Sequence, residues 1–196
     1  MEIKKYFDIV KNHIDIIPYD DVMKMINCIY DLYLKKKTIY IIGNGGSAAK
    51  ASHLAQDFSK GLILDQNINH RVKAISLTDN VPYITALAND VGYEHIFSSQ
   101  LRTFAEEGDC LLAISGSGNS RNIINAVEVA KKLKLKVIGV TGYDGGILKK
   151  MCDVSVHVPI NDMCMTESFH SIIFHYVVSY LRKKISGEEF EIVINQ

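Results

Sequence analysis

No charge of either sign dominates this chain of 196 residues: 22 lysines and arginines face 22 aspartates and glutamates. That balance leaves no overall field to recruit nucleic acid, an anionic membrane or an acidic partner, so any anion has to be held by local groups. Cysteines are few, and Cys28, Cys110, Cys152 and Cys164 form no Cys-x-x-Cys pair. Three of them sit in apolar or strand-like runs, where a reduced thiol behaves as a small hydrophobe, which argues against a disulfide framework. Met1 to Ile17 mixes charges with apolar residues at helical spacing and lacks the uninterrupted apolar core of a signal peptide or membrane span. A cytoplasmic chain with no nucleic-acid or membrane partner is therefore expected. No internal repeat or low-complexity linker divides it, and 47% hydrophobic residues supply one core, so residues 1–196 read as a single domain.

What is present is an alternation. Ile3, Phe7, Val10, Ile14 and Ile17 recur at helical steps until Pro18, and a second helical pattern runs from about Asp21 to Lys36. These opening helices, within residues 1–36, are apolar enough to pack on their own sheet or in an oligomer. Residues 38–42, 72–77, 110–114, 136–140 and 154–158 then read as short buried strands separated by helical segments. Such alternation implies a three-layer α/β/α fold around a five-stranded parallel sheet. Glycines and small polar residues gather after three strands, at 43–47, 115–120 and 141–146, the end at which open α/β sheets bind ligands.

In Gly43-Asn44-Gly45-Gly46-Ser47, a strand runs through glycines into a helix, so bare backbone N–H groups and a hydroxyl can converge on an anion. Glycines also serve ordinary tight turns. The second loop, Ser115-Gly116-Ser117-Gly118-Asn119-Ser120, offers three hydroxyls where a helix cap needs one, which suits the oxygens of a phosphoryl group. Gly-x-x-x-x-Gly-Lys-Ser/Thr is missing, and no Gly-x-Gly-x-x-Gly follows the first strand, so a phosphate monoester is a better fit than a nucleoside triphosphate or dinucleotide.

His53 and Asp57, four apart on the helix after the first loop, share a face that suits either a surface hydrogen bond or an ion. The last helical pattern, about Asp162 to Lys184, carries Glu167 and His175 on roughly one face and His170 about 60° away. A histidine on an apolar helix face is commonly a core residue. Spacing does not establish that the two helices meet.

The strings GNGGSAAKASHLAQDFSKG, SLTDN, ANDVGYEHIFSSQL, EEGDCLLAISGSGNS and VTGYDGG occur in an order that resembles the phosphoheptose isomerases of the sugar isomerase (SIS) superfamily. The resemblance covers nearly the whole chain. It implies a flavodoxin-like homotetramer converting sedoheptulose 7-phosphate to a heptose 7-phosphate for surface glycans, with one zinc ion per subunit. Carried over residue by residue, Ser47, Ser115, Ser117 and Ser120 match phosphate binders, with Gly45, Gly46 and Gly116 beside them. Asn44, Asn89, Asp90 and Asp162 match sugar contacts. His53, Asp57, Glu167 and His175 match the metal set, and Asp57 and His175 the catalytic pair.

Two departures mark a divergent branch: Asp57 stands where the family has glutamate, and Glu167 where it has glutamine. The first shortens a side chain by about 1 Å, a displacement that can cost much activity. The second adds a negative charge and is expected to strengthen dication binding. They leave room for a rival reading as a non-catalytic SIS-fold adaptor, and since the loops define the phosphate better than the sugar, an isomerase of another phosphosugar is a second rival. A sugar-sensing transcription factor would need a DNA-binding module that neither length nor charge supplies.

Overall fold

The structure is a computed structural model describing residues 2–63 and 70–187; residues 1, 64–69 and 188–196 of the expected single domain lie outside the described residues. Two helices, α1 (Ile3–Asn12) and α2 (Tyr19–Leu34), precede β1 (Thr38–Gly43) and α3 (Gly46–Gln56). There follow β2 (Lys73–Ser76), α4 (Val81–Asp90), α5 (Ser98–Phe104), β3 (Cys110–Ser115) and α6 (Arg121–Lys132). The described residues end with β4 (Lys136–Thr141), α7 (Gly146–Met151), β5 (Val154–His157) and α8 (Met163–Ser186). The five expected strands all form, within a residue or so of their expected ends. They pair in parallel in the order β2-β1-β3-β4-β5.

Alternate strand residues feed two cores, because successive side chains leave opposite faces of a pleated strand. Ile39, Ile41, Leu112, Ile114, Ile138 and Val140 pack under α2, α3 and α8. Tyr40, Ile42, Leu111, Ala113 and Val137 pack under α5, α6 and α7. Burial on both faces explains why β1, β3 and β4 read as continuous apolar runs instead of alternating ones. All four cysteines are free, Cys110 buried and Cys164 exposed, and burial beside Asp153 pushes the Cys152 thiol up to about 12.

The opening helices differ from the sequence pattern in detail. α1 ends at Asn12, Ile14–Ile16 forms a turn of 3-10 helix, and Pro18 stands at the N-cap of α2. α1 has no fully buried residue, and Ile3 and Phe7 on it are exposed. At the other end, Asp162 caps α8 by accepting from the Met165 N–H at 2.8 Å, and Gly187 closes it in the left-handed conformation that glycine adopts without strain.

The chain crosses from β1 outward to β2, then returns past β1 to β3. The carboxyl ends of β1 and β3 therefore diverge into loops on opposite sides, leaving a crevice at the switch point. Both serine-rich loops open into it.

Candidate active site

The first loop turns tightly. Gly45 sits at φ +53 and ψ −122, a conformation that a residue with a Cβ adopts only under strain. The Ser47 N–H closes the turn onto the Asn44 carbonyl at 2.9 Å. Across the crevice, the Ser115 hydroxyl accepts from the Gly118 N–H at 3.2 Å. Gly118 has φ +66, and a methyl there would run into the Gly145 carbonyl. Asn44, Gly45, Gly46, Ser47, Ser115 and Gly116 line one open cavity of about 270 Å³, with Met163 and Glu167 of α8 as its far wall. Six of the expected substrate residues are thus brought together into a cradle.

The remaining ones are placed differently. Ser117 and Ser120 do not line this cavity: the Ser117 hydroxyl accepts from the Asn119 N–H at 3.3 Å, and Ser120 is the N-cap residue of α6 without a capping side-chain bond. Asp162 spends one oxygen on its helix cap. Asn89 donates to Asp90 at 2.7 Å, and Asp90 lines a separate groove with Tyr83, Leu87 and Val91. The third glycine-rich loop is a support. Its Gly142 N–H donates to the Gly116 carbonyl at 2.8 Å, and from the following α7 the Leu148 N–H donates to the Gly118 carbonyl at 2.9 Å and the Ile147 N–H to the Asn119 side chain at 3.1 Å.

Asn44 is held by residues that the sequence reading passed over. It exchanges amide hydrogen bonds with Asn122 at 2.8 and 2.9 Å, and Tyr93 donates to its oxygen at 3.0 Å. The SLTDN string likewise has a structural use. Thr78 and Asp79 bond the Ser52 hydroxyl on α3, and Asn80 caps α4.

α3 and α8 do meet. His53 Nε2 lies 3.4 Å from Asp57 Oδ2, and the His53 and His175 rings stand edge to face at 5.3 Å between centroids. His53, Asp57 and His175, with Lys50, Leu54, Ser171 and Phe174, line a second, small cavity. Asp57 opens a five-residue π-helical turn, Asp57–Gly61, a local widening that recurs at functional sites. His170 points the other way. It is fully buried, donates from Nε2 to the Thr141 carbonyl at 3.1 Å, and burial lowers its pKa to about 4. It is a neutral core residue.

The expected four-donor metal set does not assemble. Glu167 accepts from Lys50 Nζ at 2.8 Å and stands over Gly46, so near that a Cβ there would lie 2.7 Å from Oε2. Among the described residues no group of three or more His, Cys, Asp or Glu side chains is arranged to hold a metal ion. The charge that Glu167 adds is paired with Lys50. Lys50 was legible in principle: Lys50, His53 and Asp57 fall at i, i+3 and i+7, one face of a helix.

With this geometry in place, the relatives become informative. The SIS domain family matches residues 5–142. A phosphoheptose isomerase from Clostridium acetobutylicum is 36% identical over 172 residues, covering 88% of this chain and 86% of its own. The chain belongs to the phosphoheptose isomerase family of SIS-domain proteins. Another family member, from Sulfurimonas denitrificans, is 36% identical over 191 residues and 95% of each chain. Among solved structures, the chain is similar to the phosphoheptose isomerase GmhA from Neisseria gonorrhoeae. It has a TM-score of 0.83 at 30% identity and covers 91% of this chain and 96% of its own.

Proposed function

We propose that this chain is an aldose-ketose isomerase that interconverts sedoheptulose 7-phosphate and D-glycero-D-manno-heptose 7-phosphate. Family membership supports the reaction, and one observation about the site supports the length of the substrate. Gly46 and His53 are seven residues apart on α3, and Glu167 and His175 eight apart on α8. At about 1.5 Å per residue, both helices offset the cradle from the histidine cluster by roughly 10–12 Å. An extended seven-carbon chain ending in a phosphate spans roughly 10 Å, given bonds of about 1.5 Å. A phosphate in the cradle thus leaves C1 and C2 beside Asp57 and His175.

Isomerisation needs one group to take a proton from C1 and deliver a proton to C2, and another to move a proton from O1 to O2. Asp57 and His175 fill those roles: a carboxylate and an imidazole on facing helices, with His53 beside Asp57. Ser47, Ser115 and the loop amides hold the phosphate, with Ser117 and Ser120 at the rim of the second loop, and Asn44 orients the sugar. Asn89, Asp90 and Asp162 complete the sugar contacts in this reading. The zinc ion that the family resemblance implies enters no step, because Glu167 is committed to Lys50.

Assembly as a homotetramer belongs to the same reading. Ile14, Tyr19, Ile172 and Tyr176 border an apolar groove of about 320 Å³, on the α8 side that also carries the exposed His175. A second copy covering it would shield the cluster from water. The cytoplasm suits such a chain, and no helix among the described residues is long and apolar enough to cross a membrane. The product would feed heptose into surface glycans.

The test is incubation of the purified protein with sedoheptulose 7-phosphate, followed by NMR. Appearance of an aldoheptose phosphate is expected. No conversion of this sugar, alongside conversion of a hexose or pentose phosphate, would move the substrate; no conversion of any would favour the adaptor.

A further inference from the structure

Lys50 stands where the two halves of the site meet. Its side chain lines the small cavity with His53, Asp57 and His175, and its ammonium donates to Glu167, a wall of the cradle, at 2.8 Å. Both side chains are largely withdrawn from water, at 19% and 26% exposure, so solvent screens the pair less than it screens a surface ion pair. Glu167 is further confined by its close approach to Gly46.

The chemistry of this arrangement opposes a divalent ion. A tetrahedral site takes donors with lone pairs aimed at the metal, and an ammonium has none to offer. Its positive charge also repels a dication lodged beside His53 and Asp57. With Lys50 paired to Glu167, only Asp57 contributes a negative charge left uncompensated within this set; with Lys50 neutralised, both carboxylates do. The donors themselves, two imidazoles and two carboxylates, are of the kind that zinc accepts.

We propose that Lys50 is the resident cation of this site: by holding Glu167 it excludes the divalent metal that the neighbouring donors would otherwise bind. The proposal rests on the isomerase reading only for its catalytic meaning, since metal affinity is measured without any sugar. Chelator-treated full-length protein is titrated with zinc against a chromogenic chelator, and zinc content is measured after dialysis. Wild-type protein is expected to keep little zinc through dialysis. Lys50→Gln is expected to keep about one zinc per chain and to bind it at least tenfold more tightly, a factor typical of changes beside a metal site. Adding Glu167→Ala to Lys50→Gln should remove that gain, with thermal melts verifying that each variant folds. Wild-type protein holding one zinc per chain through dialysis would overturn the proposal, as would a Lys50→Gln variant that binds no tighter. Sugar conversion is scored separately, so failure of the isomerase reading leaves this result standing.

Discussion

In the phosphate cradle, position is set largely by backbone: Gly45 and Gly118 adopt positive φ, and the second loop is braced through main-chain hydrogen bonds from Gly142 and Leu148. In the α3/α8 cluster, position is set by side chains 117 or more residues apart in sequence, and the His53 side chain is 57% exposed. The cradle is consequently preorganised to bind, whereas the cluster depends on how two helices pack and on what covers them. Binding and turnover should separate when each is damaged alone.

The largest separation is expected from His175→Ala. Loss of a group that moves protons lowers kcat by about 10²- to 10⁴-fold, while phosphosugar affinity, measured by calorimetry, stays within a few-fold. Unchanged turnover would remove the cluster from the reaction.

The next effect distinguishes the buried imidazole from the exposed pair. His170 has its pKa lowered to about 4 by burial, against about 6.5 for an unfolded histidine. The unfolded chain then binds more protons between those values, so stability is fully present above about pH 6.5 and is lost as pH falls towards 4. The loss attributable to this residue is on the order of 3 kcal/mol at its limit. Denaturant melts at pH 7 and pH 4.5 should show a smaller acid sensitivity in His170→Gln than in wild type; equal slopes would contradict the assignment.

That difference also marks where the sequence was readable. Periodicity located both His170 and His175 on the last helix, but whether an imidazole faces Thr141 or the opposing α3 depends on tertiary packing. β1, β3 and β4 were legible because apolar runs buried on both faces leave a continuous signal. Both serine loops were legible because glycine and serine cluster where a strand meets a helix. The spatial uses of Asn119, Asn122 and Tyr93 were not, since each acts through a partner from another loop. Lys50 was passed over because a lysine on a helix is ordinarily solvated, and only the packing of α8 on α3 gives it Glu167.

The smallest effects sharpen the cradle itself. Ser47 lines the cavity, and Ser47→Ala should weaken phosphosugar binding by about tenfold, the loss of one hydrogen bond to a charged group. Ser117 lies outside the cavity wall and already accepts from Asn119, so Ser117→Ala should cost only a few-fold. Calorimetric titration of both variants decides the order; equal losses would place Ser117 on the phosphate.

The central claim is that protons pass through Asp57 and His175 between C1 and C2. It is tested most directly by running the conversion in D₂O and reading C2 of the aldose product by NMR. A proton held on a carboxylate or imidazole between C1 and C2 exchanges with solvent, which predicts solvent deuterium at C2 of the aldose product. An aldose that carries the C1 hydrogen intact to C2, with no solvent deuterium, would contradict it.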